Sequence, residues 1–169
     1  GDDIVHAKDA DAADSINMGA GDDFLIINDD ANDIALNGGD GSDWFAFRTV
    51  NWGASSAKTY TLNSGNASNF ENLLGTDSND TLTGDGNANV IIGAGGNDTL
   101  NGQGGVDTVD GNEDDDLLIW QVGSSSDNFS GTDGFDELVF KDGLSDPEGK
   151  YGQKRTQQEF CCSTHDVDK

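Results

Sequence analysis

Aspartate recurs along this chain at near-regular intervals, most often just after a glycine-containing turn. From Gly75 five nonads run without a gap: GTDSNDTLT, GDGNANVII, GAGGNDTLN, GQGGVDTVD and GNEDDDLLI. Each opens on Gly, and the sixth position is Asp80, Asn89, Asp98, Asp107 and Asp116 in turn. After a slip at Trp120 and Gln121, two further units carry Asp127 and Asp136. Upstream, Asp3, Asp14, Asp23, Asp33 and Asp43 repeat the code with looser spacing. A short carboxylate held beside the exposed carbonyls of a glycine-rich turn is suited to a hard cation. Calcium, which takes about six to eight oxygens, is the natural choice. Transition-metal ligation is disfavoured, because His6 and His165 are isolated and Cys161 and Cys162 lie outside the repeats. No nucleophile elbow, zinc-binding histidine pair or dinucleotide glycine motif appears, so the chain is not expected to be an enzyme.

The residue two after each anchor indicates what positions these carboxylates. Val5, Ile16, Leu25, Ala35, Phe45, Leu82, Ile91, Leu100, Val109, Leu118, Phe129 and Leu138 are all apolar, in a chain only 33% hydrophobic. Periodic apolar placement is the primary signal of regular structure, and a disordered linker has no reason to keep it. Each nonad supplies about six turn residues and about three strand residues, a strand too short to stand alone. Stacked in parallel, such strands bury one inward residue each in a continuous core. Two nonads make a coil, so Asp80, Asp98, Asp116 and Asp136 stack on one side and Asn89, Asp107 and Asp127 on the other. Asp3, Asp23 and Asp43 stack likewise, with Asp14 over Asp33. Turn glycines are expected to supply positive φ. The fold class is all-β, a parallel β-roll.

Segment 48–74 breaks the code between a first tract, 1–47, and a second, 75–140. Alternation in Lys58 to Leu62 predicts a strand in a wider rung, with Trp52, Tyr60 and Phe70 covering the roll's side. A carbohydrate or other ligand surface on those aromatics is the alternative. Residues 141–169 concentrate the basic residues and the cysteines and read as a cap followed by a disordered or non-native tail. A row of Thr81, Thr99 and Thr108 at the seventh position raises an adhesin or ice-binding face, although Val90, Asp115 and Asn128 interrupt it.

Charge limits the partners. The formal net charge is −25 with only 8 Lys and Arg, which argues against nucleic acid and anionic membranes. Five of the 33 carboxylates are Glu, so the other 28 are Asp, the shorter acid that tight turns prefer. Stacked carboxylates repel unless a cation sits between them. No apolar run approaches the ~20 residues of a membrane-spanning helix. A monomer is expected, and the absence of an initiator Met at Gly1 suggests a fragment or processed product.

The motif Gly-Gly-x-Gly-x-Asp-x-apolar-x resembles the RTX, or hemolysin-type, calcium-binding repeat. The best matches are GGDGSDWFA at 38–46, MGAGDDFLI at 18–26, GAGGNDTLN at 93–101 and GQGGVDTVD at 102–110. The resemblance covers roughly residues 1–47 and 69–140. It implies a right-handed parallel β-roll with calcium between successive turns, about six to eight ions in all. It also implies export through type I secretion machinery, a secreted, extracellular location, and a neighbouring hydrolase or toxin domain as an alternative context. The implied ligands are the sixth-position Asp and the carbonyls of the preceding turn. Carried over, the best sites use Gly93, Gly95, Gly96 and Asp98 with Gly111, Asp114 and Asp116, and Gly102, Gly104, Gly105 and Asp107 opposite. Further candidates are Gly19 and Gly21 with Asp23, and Gly38, Gly39 and Gly41 with Asp43. Gly75 and Asp77 go with Asp80, Gly84 and Gly86 with Asn89, and Gly131 and Gly134 with Asp136. Asp3, Asp14, Asp33 and Asp127 complete the set. Asn89 lacks the charge and is expected to bind weakly. Asp9, Asn28 and Val122 replace the leading Gly, so their turns are expected to hold calcium poorly.

Overall fold

The computed structural model describes residues 1–7, 15–27, 35–47, 56–121, 127–141, 155–156 and 162–163. Among them there are strands and turns but no helix. The chain winds as a parallel β-solenoid. One sheet runs its whole length in the order β1 (Ile4–Ala7), β3 (Phe24–Ile27), β5 (Trp44–Phe47), β8 (Asn72–Leu74), β10 (Val90–Ala94), β12 (Thr108–Asn112) and β14 (Asn128–Ser130). The opposite side changes hands partway. It begins with β2 (Ser15–Ala20), β4 (Ala35–Asp40) and β7 (Ala67–Ser68), and continues with β6 (Thr59–Thr61), β9 (Thr81–Thr83), β11 (Thr99–Asn101), β13 (Leu117–Gln121) and β15 (Glu137–Lys141). Two short strands, β16 (Arg155–Thr156) and β17 (Cys162–Ser163), pair antiparallel with β15 and β14. The rest of the expected tail, including Cys161 and His165, lies outside the described residues.

The core is the row of residues that the nine-residue spacing points inward. Leu25, Leu73, Leu82, Ile91, Leu100, Val109 and Leu118 are all fully buried, in register from rung to rung. Single strands of three to six residues gain stability only through this stacking. Ala35 is a correction: it faces solvent, and Leu36, which pairs with Ile16, takes the inward place. The larger apolar side chain wins the core position, so the strand register shifts by one residue.

Segment 56–74 supplies three strands to one coil, one for each sheet, so the rung is wider than its neighbours. Tyr60 and Phe70 do not cover the side of the roll. They lie inside the coil, packed with Phe45 and Phe47 at ring separations of 4.8 to 5.2 Å. Trp52 lies outside the described residues. The threonine row also resolves differently. Thr108 belongs to the long sheet, whereas Thr59, Thr81 and Thr99 align on the opposite one before Leu117 and Glu137 end the row.

Candidate metal centre

Each anchor carboxylate is held by the main chain of the coil before it. The Asp80 N–H donates to Asp98 Oδ1 at 2.7 Å, Asp98 N–H to Asp116 Oδ1 at 2.8 Å, and Asp116 N–H to Asp136 Oδ1 at 3.0 Å. On the other side, Asp3 N–H donates to Asp23 Oδ1, Asp23 N–H to Asp43 Oδ1, Asn89 N–H to Asp107 Oδ1 and Asp107 N–H to Asp127 Oδ1. These bonds fix one oxygen of each side chain along the stack. The anchors Asp23, Asp43, Asp80, Asp98, Asp107, Asp116, Asp127 and Asp136 are all buried.

The second oxygen separates the turns into two kinds. Oδ2 of Asp23, Asp43, Asp98, Asp107, Asp116 and Asp136 is buried with no hydrogen-bond partner. An orphaned buried carboxylate oxygen is costly, and native structures rarely leave one without an ion or water. In these six turns the second residue has left-handed φ: Gly19, Gly39, Ala94, Gln103, Asn112 and Thr132. The fourth residue does too, at Gly21, Gly41, Gly96, Gly105, Asp114 and Gly134. Five of these twelve residues carry a β-carbon, which costs about 1–3 kcal/mol each unless the surroundings impose it. Turns 75–80 and 84–89 differ, because neither Thr76 nor Asp85 has positive φ. There the second residue's N–H points inward, from Thr76 to Asp80 Oδ2 at 2.6 Å and from Asp85 to Asn89 Oδ1 at 2.9 Å.

The leading glycines serve space, not conformation. Gly38, Gly75, Gly84, Gly93, Gly102, Gly111 and Gly131 all lack positive φ, contrary to the expectation for turn glycines as a group. A β-carbon at Gly93, Gly102, Gly111 or Gly131 would collide with Oδ2 of that turn's own Asp, and one at Gly38 would lie 2.7 Å from Asp43 Oδ2. At Gly93 the same space is bounded by the Gly111 carbonyl oxygen of the next coil, 2.8 Å from that point. A carboxylate oxygen and a main-chain carbonyl thus converge where a side chain is forbidden. Around Asp23 the leading place is held by Met18, which is buried in the core instead.

Electrostatics match this geometry. Asp98 and Asp116 are pushed up to about 7 and Asp107 to about 6, first by burial. The amide accepted from the preceding coil partly offsets the rise, and stacked neighbouring carboxylates add to it. Asp43 and Asp136 are raised for the same leading reason. Among the described residues no three His, Cys, Asp or Glu side chains come together as a metal cluster. The available oxygens are one carboxylate per turn plus carbonyls, a donor set of hard oxygens that fits calcium.

Of the remaining sequence candidates, Asp114 Oδ2 accepts the Gly96 N–H at 3.1 Å, tying two stacked turns together. A β-carbon at Gly86 would meet nothing, and one at Gly95 or Gly104 would make only ordinary contact. Asp14, Asp33, Asp9, Asn28 and Val122 lie outside the described residues. Sequence reasoning missed Glu71. Its Oε2 accepts the Asp43 N–H at 2.8 Å, so it fills the anchor's place between Asp43 and Asn89. It stands nine residues before Asp80 and two before the apolar Leu73, as an anchor would, but its unit NASNFENLL at 66–74 lacks the leading Gly and carries Glu in place of Asp.

A parallel β-solenoid with a buried Asp in most turns, aimed at a largely glycine-lined space, defines a class of repeat roll. A family model for the RTX calcium-binding nonapeptide repeat (four copies) matches residues 68–100 and 83–118. These calcium-binding repeats, within residues 68–118, and the β-solenoid around them fit an RTX β-roll protein. No curated protein matches the chain. Among the described residues no helix is long and apolar enough to cross a membrane.

Proposed function

We propose that this chain is a calcium-dependent folding module of an exported protein. The observation that carries the reading is the set of six buried Asp Oδ2 atoms without a partner. Asp23, Asp43, Asp98, Asp107, Asp116 and Asp136 would hold the ions, helped by main-chain carbonyls such as that of Gly111 beside Asp98. Calcium would supply positive charge between stacked carboxylates, and the carboxylates would be committed to ligation rather than to acid–base chemistry. A site at a hundredfold excess of ligand over its dissociation constant stabilises the folded state by about 2.7 kcal/mol. Extracellular calcium modules bind at ~10⁻⁴ to 10⁻³ M. At cytosolic calcium far below that range the stabilisation vanishes and like charges keep the chain open, which suits export before folding. A calcium titration followed by far-ultraviolet circular dichroism and calorimetry tests this. Strand signal should appear with heat release at millimolar calcium, and a chain equally strand-rich in excess chelator would falsify the mechanism.

A further inference from the structure

We propose that the roll holds calcium in two separate tracts, and that turns 75–80 and 84–89 between them are metal-free, closed by their own hydrogen bonds. This rests on the calcium reading above and departs from the repeat pattern, because the family match runs through both of these turns. At turn 75–80 every oxygen of the anchor is already used. Asp80 Oδ1 accepts the Lys58 N–H at 2.6 Å, Oδ2 accepts the Thr76 N–H at 2.6 Å, and the buried Thr76 hydroxyl lies 3.1 and 3.2 Å from the two oxygens. The hydroxyl and amide of Thr76 therefore occupy the carboxylate face that an ion would need.

At turn 84–89 a neutral amide does the same work. Asn89 Oδ1 accepts the Asp85 N–H at 2.9 Å, and Asn89 Nδ2 donates to the Glu71 carbonyl at 2.9 Å and toward Asp85 Oδ1 at 3.4 Å. The Nδ2 donor points where a cation would otherwise receive oxygens. The carbonyl of Gly84, which leads the turn, is also taken, by Gln103 Nε2 at 2.8 Å. The selector is thus the second residue of each turn. A left-handed residue there turns its N–H away and leaves Oδ2 open, whereas Thr76 and Asp85 turn it inward and close the site. The closed pair adjoins the aromatic cluster of Phe45, Phe47, Tyr60 and Phe70, so the waist of the roll is held by packing and hydrogen bonds.

The test counts calcium per folded chain, by equilibrium dialysis, in the full chain and three variants. Asp80→Asn should leave the count unchanged, and Asp98→Asn should lower it. Because Asp80→Asn could instead weaken the fold, a gain-of-site variant is the second arm. Thr76→Gly with Ser78→Gly converts GTDSND to the form of GGDGSD at 38–43 and should add an ion. If Asp80→Asn loses calcium as Asp98→Asn does, or the double glycine variant gains none, the partition is overturned. If the unmodified chain binds no calcium at all, the underlying calcium reading fails instead.

Discussion

Gly93 and Gly95 stand two residues apart in one turn, and their neighbours give them different tasks. A methyl group at Gly93 would occupy the space of Asp98 Oδ2, while one at Gly95 would lie 3.6 Å from the nearest atom of Asp77. Gly93→Ala should therefore raise the calcium midpoint of folding by ~10-fold or more, a loss of about 1.4 kcal/mol. Gly95→Ala should be neutral, or stabilise by about 0.4–1 kcal/mol through the less flexible unfolded chain. Equal effects in the two titrations would contradict the cradle described for Oδ2. Glu71 gives a second contrast. Removing its carboxylate leaves the Asp43 N–H without an acceptor, which costs about 1–3 kcal/mol for a buried donor. In urea unfolding at saturating calcium, Glu71→Ala should lose that amount and Glu71→Gln, whose amide oxygen still accepts, much less. The anchors were legible in the sequence because a fixed interval repeats them. Glu71 keeps the same interval, nine residues before Asp80, but was not legible because its unit NASNFENLL has no glycine and carries Glu where the others carry Asp or Asn.

Strands and turns were legible to different depths. The nine-residue spacing located the inward rows from Leu82 to Leu138, since a coil of constant length has only one register that buries an apolar residue in every rung. It misplaced Ala35, where spacing loosened and the bulkier Leu36 took the core. It also merged the two faces of the roll into one threonine row, because a one-dimensional period does not tell alternate strands apart. Asn89 already marked turn 84–89 as weak, but the closing of turn 75–80 was hidden, since it depends on φ at Thr76 and not on the anchor Asp80. That difference predicts uneven stability. In excess chelator, amides of β6, β8 and β9 beside the closed turns should exchange more slowly than those of β12 and β14, whose adjoining turns carry orphaned carboxylates. Hydrogen exchange read by nuclear magnetic resonance would decide it. Uniform exchange along the roll, or greater protection near β14, would count against a metal-independent waist.

Across the whole molecule the dominant quantity is charge: −25, with acid concentrated in stacks whose strands lie ~4.8 Å apart. Six divalent ions would offset about half of it, and protons are the other species able to do so. Asp98 and Asp116, raised to about 7, and Asp107, raised to about 6, start from an ordinary value of 3.8. Their folded-state values exceed their unfolded ones, so the metal-free roll binds more protons than the open chain does. Stability from these groups is fully present below pH 3.8 and is lost as pH rises through 6 to 7. Acidifying the metal-free chain from pH 8 to pH 5 should therefore increase its strand signal rather than unfold it. Calcium affinity should fall over the same interval, because protons and calcium compete for the same oxygens. Circular dichroism in chelator at each pH, beside calcium titrations at each pH, measures both sides of that linkage. A metal-free chain more ordered at pH 8 than at pH 5 would show that the buried carboxylates do not control the transition, and the charge-compensation account would fall with them.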